Sequence, residues 1–203
     1  LGTGSTAELL VRAVAERVRT GLRVTGVPTS ERTQALAASL GIPLADLDAV
    51  DTLDLSIDGA DEILLPALDL IKGHGGALLR EKLVAQVSQR RIIIADATKV
   101  VSSLGAQTRV PVEVVRFGWR HTAQRLAALG VAPALRQHSG GAFVTDGGNY
   151  ILDCACPSLG DPAAVARALK LVTGVVDSGL FIGMTERVII GGPDGVRAYD
   201  RPL

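Results

Sequence analysis

Aromatic residues are scarce in this chain. One Trp, two Tyr and three Phe are all it has in 203 residues. Its core must therefore be built from Ala, Val, Leu and Ile, a palette common where a parallel sheet is covered on both faces. No charge-free apolar run approaches the ~18 residues of a membrane span, so the chain reads as soluble, with no membrane partner. Neither sign of charge is in excess, with 21 Lys and Arg against 21 Asp and Glu. Without a basic stripe, nucleic-acid binding has no support in the composition. Cysteine is nearly absent too. Cys154 and Cys156 lie two apart in a strand-like run, which puts both side chains on one face. Such a pair seldom closes a structural disulfide, and no metal-ligand spacing surrounds it. The two read as small core residues in a reducing, cytoplasmic compartment. Nothing resembles a signal peptide. The chain opens on Leu1 directly into Gly2-Thr3-Gly4-Ser5-Thr6, and the expectation is that an N-terminal piece precedes it.

What is present alternates. The length suits one large domain, or a medium one with a small companion, and can bury a sizeable core. Ala7, Leu10, Val11, Val14 and Val18 recur with a 3.6-residue period, predicting a helix capped by Ser5 or Thr3. A strand is expected at Leu22–Val27. Thr29-Ser30-Glu31 opens a second helix that Gly41 stops. A short strand at Leu53–Ile57 runs into Asp58-Gly59-Ala60-Asp61-Glu62. A glycine-rich turn at Lys72–Gly76 leads to a helix over Ala77–Ser88, and Arg91–Ala95 is a continuous apolar strand. This βαβα rhythm predicts a Rossmann-like α/β fold with a doubly wound, mostly parallel sheet. After Gly105 the pattern changes. Strands at Val110–Val115, Ala142–Thr145 and Tyr150–Cys154, with helices at Trp119–Leu129 and Pro162–Leu171, predict a small α+β domain. Asp146-Gly147-Gly148-Asn149 is a hairpin turn within it. Arg187–Ile190 is strand-like and is expected to rejoin the first sheet. The expected division is a Rossmann-like domain over residues 1–106 and 178–203, with the small domain at 107–177 inserted.

Four stretches carry residues suited to chemistry. In Gly2–Thr6 the glycines permit close backbone approach, Ser and Thr offer hydroxyls, and a helix N-terminus follows, which suits a phosphate. A glycine turn with an N-cap would look the same. The stretch lacks the Gly-Lys-Ser/Thr ending of a Walker A loop and the third glycine of a dinucleotide fingerprint. Asp58–Glu62 packs three carboxylates behind a strand end, where sites of open α/β sheets lie. A turn with Asp58 as cap is the plain alternative. No histidine is placed to complete a transition-metal set, although carboxylates alone leave Mg²⁺ open. Lys72-Gly73-His74-Gly75-Gly76 sets a cation beside accessible N–H groups, suited to a sugar oxygen or phosphate. Glu81 follows in the second turn of the next helix, where a solvated surface carboxylate is the plain reading. Asp96-Ala97-Thr98-Lys99 again follows a strand end, so Lys99 can reach the same crevice.

Together these stretches resemble the ribose-5-phosphate isomerase family, type A. GTGST at Gly2–Thr6, DGADE at Asp58–Glu62, KGHGGALLREK at Lys72–Lys82 and DATK at Asp96–Lys99 occur in the family's order. VPVEV at Val110–Val114, TDGGN at Thr145–Asn149 and GVVDSGLF at Gly174–Phe181 also fit. The resemblance implies reversible conversion of D-ribose 5-phosphate to D-ribulose 5-phosphate through an enediolate, without metal or cofactor, in the pentose phosphate pathway. It implies Glu81 as the base that carries a proton between C2 and C1. It implies that Asp58, Gly59, Ala60 and Asp61 line the sugar end, the aspartates assisting ring opening or proton movement between O1 and O2. It makes Lys72 a catalytic cation and Lys72, Gly73, His74 and Gly75 a substrate-binding loop. Thr3, Gly4, Ser5 and Thr6 match a further binding stretch, and Lys99 a further contact. A homodimer or homotetramer is implied as well.

The chain departs from the family in lacking the helix and strand usual before GTGST, in carrying His74 where glycine is usual, and in carrying Gly147 where asparagine is common. The first of these puts in doubt a lysine that the family's N-terminal helix contributes to the site. Two other readings use the same fold. A sugar-phosphate-sensing domain would bind without needing a base, and no basic helix-turn-helix accompanies it here. A coenzyme A transferase would use a glutamate as nucleophile, and this chain is short for one.

Overall fold

The computed structural model describes residues 1–156 and 159–202. Its first sheet has four strands in the order Leu53–Asp58, Ser88–Asp96, Arg187–Gly192 and Gly195–Asp200. The first three run parallel, and the fourth returns antiparallel from a tight turn. Asp58 pairs with Ile93 and Gly191 with Asp96, so Asp58 and Asp96 leave the sheet at the same edge. The apolar run Ile92-Ile93-Ile94 suits a strand because branched side chains fit a pleated, buried surface. Alternation then puts Ile93 and Ala95 on one face. There they pack with Val188 and Ile190 against Ile63, Leu70 and Phe181. Helix α1 (Ser5–Arg19) buries Ala7, Val11 and Ala15, a four-residue spacing on one stripe. That stripe meets Ala37 of α2 (Glu31–Ser39), with Ile42 just beyond it.

A small sheet in the order Leu180–Phe181, Asp69–Ile71, Glu62–Leu64 and Val100–Val101 lies beside the first. Its strands are two or three residues long, too short for a period-two pattern to announce them. It delivers Lys72 from the end of Asp69–Ile71 and is followed by α3 (Leu78–Gln86). The second large sheet, in the order Val175–Ser178, Val110–Val114, Tyr150–Ala155 and Ala132–Leu135, is antiparallel throughout. Leu126 of α4 (Trp119–Ala127) and Leu169 of α5 (Pro162–Lys170) are fully buried in its core with Val112, Leu152 and Cys154. Cys154 and Cys156 are both unbonded and buried, and burial pushes the Cys154 thiol up to about 12.

Three expectations are corrected. Leu22–Val27 forms no strand; Gly26 makes a single bridge to Leu44. Its other neighbour is Leu1, whose amino group donates to Val27 O at 2.8 Å, and two such contacts do not make a ladder. Ala142–Thr145 is likewise reduced to a two-residue pairing, Gly141–Ala142 with Gln137–His138, and one bridge from Val144 to Tyr150. Finally, neither Ser5 nor Thr3 caps α1: Gly4 holds the N-cap position at φ 110° with no side-chain cap.

Glu62 is also redirected. It is fully buried, and its carboxylate accepts from the N–H groups of Gly105 (2.6 Å), Gln107 (2.8 Å) and Thr108 (2.6 Å). It therefore pins the loop that leads into the second sheet. Glu62→Gln keeps the shape but turns an N–H group toward these donors. We expect a loss of about 1–3 kcal/mol in urea unfolding, the scale of leaving one buried donor unsatisfied.

Candidate active site

The edge where Asp58 and Asp96 emerge opens into a cleft of about 90 Å³. One wall is the start of α1, with Gly4, Ser5 and Thr6. Because Gly4 caps without a side chain, the first N–H groups of the helix are left for a ligand. Lys99 joins this wall from a 3₁₀ turn that Asp96 caps through Thr98 N. It takes part in no ion pair among the described residues. The opposite wall is Gly59, Ala60 and Asp61 together with Lys72, Gly73 and Gly75. Glu81 reaches the cleft from the first turn of α3, one turn earlier than expected, because the helix begins at Leu78.

Lys72 and Glu81 meet at the wall of this cleft. Both are buried. The Lys72 ammonium lies 3.0 Å from Asp58 Oδ2 and 3.3 Å from Glu81 Oε2, and it donates to Gly59 O at 2.5 Å. Burial opposes its charge, but Asp58 and Glu81 more than offset this and hold its pKa above the ordinary value. Glu81 is the less favoured carboxylate. Burial and the nearby Asp58 push its pKa up to about 8, although Lys72 pulls the other way. Its Oε2 is buried and, despite the close ammonium, makes no hydrogen bond of good geometry. Behind the pair lies a smaller cavity of about 20 Å³, lined by Leu70, Val84, Phe181 and Met184 together with Asp58, Lys72 and Glu81 themselves. A buried carboxyl with a raised pKa, paired with an ammonium at the wall of a cleft, is suited to general acid–base chemistry.

The predicted residues divide by position. Asp58 sits behind Lys72, where its Oδ1 accepts from Thr3 N (3.1 Å) and Gly59 N (2.7 Å). Thr3 lines the cleft, yet its hydroxyl is engaged by Thr29, Ser30 and Thr33 at 2.7, 2.8 and 3.3 Å. That hydroxyl cluster anchors the loop to the start of α2. Asp61 faces the cleft and accepts from His74 N at 3.0 Å. The His74 ring lies outside the cleft, 3.4 Å from Arg109 O, so it does not narrow the pocket. Among the described residues no set of three His, Cys, Asp or Glu side chains is arranged to hold a metal ion.

Sequence reasoning did not assign Lys82, the neighbour of Glu81. Its ammonium is buried against Asp177 (2.6 Å), Ser178 O (2.7 Å) and Leu180 O (3.0 Å), bolting α3 to the second sheet. Burial, partly offset by Asp177, lowers its pKa. This contact fixes the rotation of α3 and hence the aim of Glu81. Gly179 is constrained as well: a Cβ there would lie 2.1 Å from Lys72 O.

Comparison with known proteins agrees with this geometry. The profile of ribose 5-phosphate isomerase A (phosphoriboisomerase A) matches residues 25–195. The chain belongs to this family. A ribose-5-phosphate isomerase A of Thermomicrobium roseum is 52% identical over 202 residues, covering 99% of this chain and 85% of that protein. The ribose 5-phosphate isomerase of Plasmodium falciparum superposes with a TM-score of 0.96 at 39% identity, covering 100% of this chain and 90% of the other. A D-ribose-5-phosphate isomerase in complex with phospho-erythronic acid gives a TM-score of 0.96 at 36% identity, covering 99% and 89%. Like these relatives, the chain is an isomerase with a Rossmann-like α/β fold, and no described helix is long and apolar enough to cross a membrane.

Proposed function

We propose that this isomerase interconverts D-ribose 5-phosphate and D-ribulose 5-phosphate through an enediolate, with Glu81 as the base. The observation that carries the reading is the buried Glu81 carboxyl, ion-paired with Lys72 at 3.3 Å where both residues line the cleft. The phosphate binds at the open start of α1, where Gly4, Ser5 and Thr6 supply donors and Lys99 supplies charge. The open-chain sugar then extends toward Glu81. Ionised Glu81 removes the C2 proton and returns it to C1. Lys72 and the N–H groups of Gly73 and Gly75 neutralise charge on the enediolate oxygens. Asp61, facing the cleft, moves the hydroxyl proton between O1 and O2. Asp58 acts behind them by holding Lys72 in place. Phospho-erythronic acid, bound by a structural relative, fits this scheme because its carboxylate has the planar, two-oxygen form of an enediolate end.

The reading extends to organisation. The four strands of the second sheet span Val110–Ser178, one residue past the expected boundary, which supports an inserted domain at about 107–177 and a catalytic domain over about 1–106 and 178–203. A homodimer or homotetramer is part of the same reading and is tested by light scattering on the purified chain. So is a cytoplasmic setting in the pentose phosphate pathway.

Isomerisation in D₂O tests the chemistry. A carboxylate base exposed to solvent exchange delivers deuterium to C1 of the ketose. Deuterium at C1 would establish proton transfer; its absence would mean either hydride movement from C2 to C1 or a base too shielded to exchange, and an undiminished rate in Glu81→Gln would then take the role from Glu81.

A further inference from the structure

Arg136 lies outside the cleft, at the end of the strand Ala132–Leu135 in the second sheet, yet it holds the loop that forms the cleft wall. Its own backbone is fixed on both sides, donating to Ile151 O and accepting from Phe143 N, each at 2.9 Å. Its guanidinium forks onto Asp153, with Nε 2.9 Å from Oδ2 and Nη2 2.5 Å from Oδ1. The remaining nitrogen, Nη1, donates to two consecutive loop carbonyls, Gly73 O at 2.9 Å and His74 O at 3.0 Å. A planar guanidinium can meet both demands at once, whereas an ammonium has no such fixed fork.

The consequence follows from peptide geometry. In a trans peptide the carbonyl of one residue and the N–H of the next point in opposite directions. Drawing Gly73 O outward turns His74 N–H inward, and it does meet Asp61 Oδ2 at 3.0 Å. Drawing His74 O outward turns Gly75 N–H inward in the same way. Gly75 lines the cleft, and its N–H finds no acceptor among the described residues. Phe143 adds a second grip: its ring fills the space where a Cβ of Gly76 would stand.

We infer that Arg136, oriented by Asp153, is a positioning residue that aims the Gly75 N–H at the enediolate oxygen and, through His74 N–H, fixes Asp61. The inference rests on the reading of the cleft given above. It predicts that the transition state feels Arg136 more than the bound substrate does.

The test uses the full chain with Arg136→Met, Arg136→Lys and Asp153→Asn. For Arg136→Met we expect kcat to fall about 10- to 100-fold, less than outright removal of an oxyanion donor, which costs about 10²–10³. KM for D-ribose 5-phosphate should stay within about threefold, since the phosphate wall is untouched. The Kd of phospho-erythronic acid should rise by the same factor as kcat/KM falls, while inhibition by inorganic phosphate stays constant. Arg136→Lys should recover thermal stability but not kcat. Asp153→Asn should lower kcat in the same direction, and adding it to Arg136→Met should change kcat less than twofold, because the two act as one unit. Should Arg136→Met not fold, Asp153→Asn alone decides by the same split. An unchanged phospho-erythronic acid Kd, or a kcat restored by lysine, would mean that Arg136 only holds the fold together, and the inference would be wrong. If the unsubstituted chain makes no ketose at all, it is the isomerase reading that fails.

Discussion

Glu81→Gln is expected to reduce kcat by about 10²–10⁴-fold, the usual contribution of a positioned general base, while D-ribose 5-phosphate still binds. Gln has the same shape and keeps an oxygen toward Lys72, but it cannot take a proton from C2. The substitution is not expected to harm folding. Glu81 is buried, and its carboxyl is pushed toward the neutral form, so a neutral amide is a close match for its resting state. Kinetics and calorimetric titration on the same preparation separate the outcomes. Turnover within threefold of the unsubstituted chain would remove Glu81 from the proton path. Lost binding together with lost turnover would make it a substrate anchor rather than a base.

The same carboxyl sets a dependence on pH. A base acts ionised, so kcat/KM is expected to rise with pH and level off near or above 8, where Glu81 titrates in the free protein. Stability moves the opposite way. The pKa of Glu81 is raised above its unfolded value, so the folded chain holds this proton more tightly than the unfolded chain. That contribution is fully present below about 4.5 and is lost as pH climbs through about 8. Glu81→Gln has no such proton to lose. Relative to the unsubstituted chain it should gain on the order of 2–5 kcal/mol between pH 5 and pH 9. A base buried without its cost would show no divergence in urea midpoints over that range.

Much of this site was readable from position along the chain. DGAD and DATK each follow a strand end that the sequence announces, and in an open α/β sheet strand ends converge. What could not be read was direction. Asp61 and Glu62 are adjacent, yet Asp61 faces the cleft and Glu62 is buried on Gly105, Gln107 and Thr108. Neighbours in extended chain point to opposite sides, so only one of such a pair could serve the site, and that signal was available. Which one it is depends on the pairing of Glu62 with Ile71, and register is not written in three residues. Arg136 was invisible for a similar reason. It meets Asp153 because the strands Ala132–Leu135 and Tyr150–Ala155 pair with Ala134 opposite Asp153. Nothing in the spacing of residues 136 and 153 announces that. The second large sheet was legible as a change of rhythm, but its edge strand Ala132–Leu135 was hidden by Pro133, a residue that sheets tolerate at their edges.

Lys72→Met is expected to damage both catalysis and folding, and by separable routes. For catalysis, the cation nearest the proposed base disappears, and kcat should fall about 10²–10³-fold, as for loss of a preorganised oxyanion donor. For folding, Asp58 is left buried without its ammonium. Removing one partner of a buried pair costs about 3–5 kcal/mol. Asp58 keeps its bonds from Thr3 N and Gly59 N, which places the expected loss at the lower end of that range. Asp58→Asn in the same chain removes the stranded charge and should recover most of the lost stability, because the two changes share one interaction. It should recover none of the activity, since the enediolate still has no cation. Lys72 also restrains the pKa of Glu81, so whatever turnover survives in Lys72→Met should level off at higher pH than in the unsubstituted chain. Recovery of kcat in the double variant would show that Lys72 serves only to neutralise Asp58, and the oxyanion role would pass to the loop N–H groups alone.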